Sequence, residues 1–256
     1  MSRPEDAADV RRAGAQRVYL DVVDLEPTEG LLREVSLERF VPMLDEVCRE
    51  SDHDRLDPWV RPGASVLVGN VSELALARER GALSELRGCI PVHNPATLRT
   101  MASLGACLAW LSPELSIDEM RELAAGSPVP LGVVAYGRPR LMTCEHCVLQ
   151  VAYDCDRDHA RCAYRARRHW LVNIDGRRLP TMTDHLGRSR IYLDEPVDLV
   201  PMAAELAQMG MARLLVDARA LGREEALAAI DRLKVALAGG RVDAFGAAGL
   251  ARTGVE

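Results

Sequence analysis

The stretch from Gly88 to Tyr136, GCIPVHNPATLRTMASLGACLAWLSPELSIDEMRELAAGSPVPLGVVAY, decides the fold. It alternates short apolar runs with amphipathic segments that carry their own start and stop signals. Gly88 to His93 reads as a strand. Asn94-Pro95 then opens a helix, because Asn caps free N–H groups and Pro suits the first helical position. That helix runs to Leu104 and stops at Gly105. Cys107 to Leu111 is a second strand. Ser116 with Glu119 forms a capping box for a helix ending near Gly126, and Leu131 to Tyr136 is a third strand. Strands that alternate with helices of this length belong to parallel βα units, and therefore to an α/β sheet or barrel.

The same pattern extends outward in both directions. Toward the N-terminus, Arg17 to Leu25 reads as a strand and Ser65 to Gly69 as a short buried one, followed by a helix from Ser72 to Gly81. Between them Leu37, Phe40, Val41, Leu44, Val47 and Cys48 recur at helical spacing, which predicts a helix over Ser36 to Glu50. Toward the C-terminus, Arg213 to Asp217 is a strand and Arg223 to Ala238 a helix. About six βα-type strands are counted, where a closed barrel has eight. Trp170 to Ile174 and Arg178 to Thr183 flank Asp175-Gly176, a strong hairpin signal, and Ser189 to Leu193 adds a strand. Residues 166–195 are therefore a small antiparallel insert.

Composition sets the class. The chain has 256 residues, a formal net charge of -6 and only two Phe, so its core rests on aliphatic side chains. No apolar run reaches the length of a membrane span, and the N-terminus MSRPEDAADVRRAG lacks the apolar centre of a secretory signal. A soluble protein of the reducing cytoplasm is expected. The acidic total argues against a general nucleic-acid binder. Even so, Arg157 to Arg168 gathers five arginines and a Tyr that could meet phosphates, or lie on a solvated face.

The Cys-rich loop 137–165 follows the strand Leu131 to Tyr136, where α/β folds place their chemistry. It holds Cys144, Cys147, Cys155 and Cys162 of the seven cysteines, together with His146 and His159. Clustered thiolates suit iron–sulfur clusters or zinc, whereas an odd cysteine count in a chain without a secretory signal disfavours disulfides. Glu145 and His146 are the nearest acid–base candidates. Arg138, Arg188 and Arg190 offer forked donors for a carboxylate or phosphate, and for each the alternative is ordinary surface charge. No zinc-protease helix and no nucleophile elbow is present.

Several segments carry a likeness in order. They are His93-Asn94-Pro95 with Leu104-Gly105-Ala106, Trp110 to Leu115, and Tyr136-Gly137-Arg138 leading through Leu141-Met142-Thr143 to Glu145-His146-Cys147. Asp175-Gly176 with Leu179-Pro180 and Asp184, Gly187-Arg188, Ile191-Tyr192, Asp198-Leu199 and the closing Gly249 to Val255 follow. With these, roughly residues 65–256 resemble the peptidase U32, or collagenase-like, family. The resemblance implies a TIM-barrel-like scaffold, complete or incomplete, and a four-iron, four-sulfur (4Fe-4S) cluster with zinc as the alternative. Cys147, Cys155 and Cys162 match the family's cysteine run, with Cys144 as the fourth ligand and His159 as the alternative.

It further implies oxygen-independent hydroxylation of an RNA base or small aromatic substrate, by an enzyme or an accessory subunit. A collagenase-like peptidase and a non-catalytic, metal-stapled binding module are the alternatives. Within that reading Glu145 and His146 take catalytic roles, and Arg138, Asp184 and Arg188 bind substrate. Leu250 stands where the family commonly has His. Residues 1–64 form a divergent βα segment with no good counterpart, so the barrel is either trimmed or completed by a second U32-type subunit.

Overall fold

The structure is a computed structural model and describes residues 1, 3–153, 155, 158–165 and 167–245. The closing segment with Leu250 lies outside the described residues. A short helix, α1 (Ala7–Arg12), leads into a strand–helix alternation. Its elements are β1 (Tyr19–Asp21), α2 (Glu29–Ser36), β2 (Val41–Met43), α3 (His53–Leu56), β3 (Ser65–Val68), α4 (Val71–Glu79), β4 (Leu83–Leu86), α5 (Pro95–Ser103), β5 (Ala106–Trp110), α6 (Ile117–Ala125) and β6 (Leu131–Gly137). Next come β7 (Arg140–Cys144), α7 (Val148–Tyr153), β8 (His169–Val172), β9 (Arg178–Thr183) and β10 (Ser189–Tyr192). The two-residue β11 (Val197–Asp198), α8 (Ala203–Gln208), β12 (Met211–Asp217) and α9 (Arg223–Leu237) complete the fold.

Seven strands pair in parallel in the order β1-β2-β3-β4-β5-β6-β12, and β11 lies antiparallel on the end of β6. The sheet is strongly curled. Both β1 and β12 are three strands away from β4, which in a flat sheet would separate them by about 14 Å. Yet the Glu85 carboxylate on β4 accepts hydrogen bonds from Tyr19 Oη on β1 (2.7 Å) and Arg213 Nη1 on β12 (2.8 Å). Tyr19 also meets Trp110 of β5 edge-on at 5.5 Å.

Period-two alternation sorts the side chains between inside and outside. Tyr19, Val41, Met43, Leu67, Leu108 and Trp110 fill the concave interior. Val18, Leu20, Val66, Val68, Ala109 and Leu111 point outward and pack with Leu74, Leu98, Met120 and Leu123 of the helices. No backbone pairing joins β1 to β12 among the described residues. Asp21 N donates to Met1 O (2.8 Å), and the Met1 ammonium donates to Tyr19 O (3.1 Å), along the free edge of β1.

The caps anticipated at Asn94 and Ser116 are in place. Asn94 accepts from Thr97 N, and Ser116 and Glu119 satisfy each other's backbone N–H groups. Two expectations are corrected. The predicted helix over Ser36 to Glu50 does not form: α2 ends at Ser36, Glu38 adopts a left-handed φ of 53°, and Val41–Met43 joins the sheet as β2. The predicted strand at Gly88 to His93 is a turn-rich connection. The strand is the preceding β4, whose Glu85 points into the interior. Among the described residues seven parallel strands, rather than six, therefore build the scaffold, and residues 1–64 supply two of them. No helix among the described residues is long and apolar enough to cross a membrane.

The insert forms a separate four-stranded antiparallel sheet in the order β7-β10-β9-β8. Asn173 stabilises the Asp175-Gly176 turn by accepting from the N–H groups of Asp175 and Arg177.

Candidate functional site

The C-terminal ends of the parallel strands form a mouth, and the antiparallel sheet closes over it. The contact is built from charge. The segments that follow β1 and β2 supply acids, and the insert supplies arginines. Asp45, just past β2, accepts from Arg190 Nη2 at 2.7 Å and lies 3.5 Å from Arg188 Nη1. Asp52 accepts from Arg188 Nη2 at 2.6 Å. Glu46 pairs with Arg140 and accepts from Thr143 Oγ1, both on β7. Asp24 accepts from the His185 backbone (2.8 Å) and imidazole (2.9 Å). Burial alone would raise the Asp24 pKa, but these two bonds outweigh it and lower it.

Of the residues expected to bind substrate, Asp184 and Arg188 lie within this contact and Arg138 lies outside it. Asp184 is buried and closes the β9–β10 turn, accepting from the N–H groups of Leu186 and Arg188 at 2.9 Å while its other oxygen holds Arg190 Nη1 at 2.8 Å. Arg188 is spent on Asp52, Asp45, Val47 O and Glu145. Arg138 donates to Asp194 O and lies 3.7 Å from Glu225. Glu145 sits on the rim, clamped by Arg49 and 3.4 Å from Arg188 Nε. His146 is exposed, and its backbone N–H points at Cys144 Sγ (3.3 Å).

All seven cysteines are free thiols. Cys144 ends β7, Cys147 is buried just before α7, and Cys155 and Cys162 are half-buried further along. Val148 N donates to Ser189 Oγ (3.2 Å), which ties the start of α7 to β10. His159 lies against Gly187, so closely that a β-carbon there would come within 2.6 Å of the imidazole. Gly187 also has φ +81°, which favours glycine twice over. As a donor set the four thiols suit an iron–sulfur cluster or zinc. Their positions do not yet make a site: among the described residues no three His, Cys, Asp or Glu side chains are disposed to hold a metal ion.

Sequence reasoning missed the inner ring of the mouth. Arg140 lies opposite Tyr192 in the β7–β10 pair. Arg219, two residues past β12, donates from Nε to Asp217 Oδ1 (2.9 Å) and from Nη2 to Oδ2 (2.6 Å), and its Nη1 lies 3.9 Å from Asp21 at the end of β1. Gly137 lets β6 approach this corner, since a β-carbon there would meet Asp217 Cβ at 2.8 Å. Burial, and then the neighbouring Arg219, bring Arg140 down to about 10. Burial would raise Asp217, but Arg219 holds it well below the usual carboxylate range. The signal lay in arginines and acids just past strand ends, spread over some 200 residues and adjacent only after folding.

Fold and mouth together define a curled, parallel βα scaffold whose C-terminal face is roofed by a β-sheet insert. The model of peptidase family U32 matches residues 83–238, so the chain belongs to that family. No curated protein matches this chain. A solved structure described as a phosphonomutase from Burkholderia cenocepacia J2315 is similar at 19% identity, covering 52% of this chain and 75% of that one with a TM-score of 0.34.

Proposed function

We propose that this U32-family protein takes part in oxygen-independent hydroxylation of an RNA base or small aromatic substrate, with Cys144, Cys147, Cys155 and Cys162 holding a 4Fe-4S cluster. The observation that carries the reading is the free-thiol segment hung from β7 at the rim of the mouth, in a chain of the family. The cluster, when bound, supplies electron transfer. The Ser189 and Arg49–Glu145 contacts anchor the start of the cysteine segment at the mouth, and the four cysteines would hold the cluster. For the peptidase alternative, the described residues offer no hydrogen bond between a Cys and a His side chain that would pair nucleophile with base.

Anaerobic purification tests the proposal. The expected product is a brown protein with about four iron and four sulfide per chain, and Cys147→Ala is expected to bleach it. A colourless protein carrying one zinc, iron content unchanged in Cys147→Ala, or peptide turnover that survives loss of Cys144 and Cys155 would each overturn it.

A further inference from the structure

Hydrogen-bond accounting at the mouth leaves a surplus of donors. Arg140 gives Nη2 to Glu46, and Arg219 gives Nε and Nη2 to Asp217. Nη1 of each is shielded from solvent and has no acceptor among the described residues. Both side chains are about nine-tenths buried, at 10% and 12% exposure. Tyr192, opposite Arg140 and 1% exposed, lies close enough for its phenol to act electrostatically on both guanidiniums.

The surrounding acids are already committed, apart from one Asp21 oxygen that lies 3.9 Å from Arg219 Nη1. Glu46 serves Arg140 and Thr143, Asp217 serves Arg219, and Asp45 serves its neighbour's N–H and the roof arginines. Asp21 has one oxygen on Val23 N and the other beyond hydrogen-bond range of Arg219. Buried guanidinium N–H groups without acceptors are costly, and a forked cation meets that need best with the oxygens of an anion.

We propose that Arg140 and Arg219 together anchor one oxyanion group, a carboxylate or a phosphate, of the small molecule that enters the mouth, with the Tyr192 hydroxyl as a third donor. The site lies at the strand ends where βα scaffolds bind ligands. It goes beyond the cluster reading and does not rest on it, because every group belongs to the barrel ends or to β7 and β10.

The test uses the full chain, and metal-free protein serves as well as loaded protein. Crystals soaked in selenate are expected to show one anomalous peak within hydrogen-bond distance of both Nη1 atoms. Calorimetry with inorganic phosphate and with malonate is expected to show one site per chain, the tighter probe marking which source of oxyanion the site prefers. Arg140→Lys and Arg219→Lys, which keep charge but lose the fork, are expected to weaken that binding at least about tenfold. Arg121→Lys, on the outer surface, is expected to leave it unchanged. A map with only water between the two guanidiniums, or binding that both lysine variants leave intact, overturns the proposal. Should the variants fail to fold, the selenate map of the unaltered chain decides alone. Selenate bound here in a protein that carries no iron even after anaerobic purification would sink the cluster reading and leave this one standing.

Discussion

Glu73 shows how far one residue's surroundings change its chemistry. It sits in the first turn of α4 with Oε2 on the Gly69 N–H at 2.7 Å and Oε1 buried without a partner among the described residues. Burial pushes its carboxyl up to about 8, although the Gly69 N–H and Arg87 act the other way. The folded state therefore keeps a proton that the unfolded chain releases near the ordinary Glu value. The stability this contributes is intact below about pH 4 and is lost as pH climbs toward 8. Glu73→Gln is expected to flatten the decline in urea midpoint between about pH 5 and pH 8 and to gain stability at the upper end. An unchanged slope would show that Glu73 is ionised in the native protein. None of this was visible beforehand, because Glu three residues after Asn70 reads simply as a helix-start acid.

At the scale of elements, the roof sheet is attached by ion pairs rather than by an apolar seam. Its outer strand β8 exposes Trp170 and Val172, and the turn after it exposes Ile174, while Arg188 and Arg190 turn inward to Asp45 and Asp52. Asp45→Asn would leave two buried guanidiniums short of a carboxylate. A loss of about 3–5 kcal/mol is expected in chemical denaturation, with new protease cuts in the β8–β9 hairpin. A loss below about 1 kcal/mol would mean the pair is solvated like a surface bridge.

Helices α5 and α6 were legible because their caps are local: Asn94 and Ser116 meet backbone three residues away. Strand β2 was hidden because six apolar residues mimic a helical stripe. Pro42 within that stripe was the contrary signal, since a helix interior tolerates Pro poorly. Strand β4 was hidden because its interior residue is an acid. The cysteine segment stands out by composition alone, whereas the docking charges do not, because Asp45 and Arg190 are partners only through the fold.

At the scale of the whole molecule, the family match begins at residue 83, yet the roof it contains is held by Asp24, Asp45, Glu46 and Asp52 from before that point. The two edges of the sheet, β1 and β12, are tied by side chains: Glu85 receives Tyr19, Arg17 and Arg213. Glu85→Gln is expected to cost on the order of 2–3 kcal/mol, since the lost bonds are charge-assisted. Hydrogen exchange should then speed up at the amides of β1 and β12 before those of β4 and β5. Uniform acceleration across all seven strands would show that this tie has no local role.

A curled sheet whose two end strands are held to each other by a few side-chain contacts, and to their neighbours by backbone ladders, has a preferred direction of failure. Pulling, heating or titrating the molecule should split it between those end strands first and peel the N-terminal strands away from the last one. Because those strands also carry the acids under the roof, the lid would loosen in the same event, and the mouth would open from its side rather than from its top.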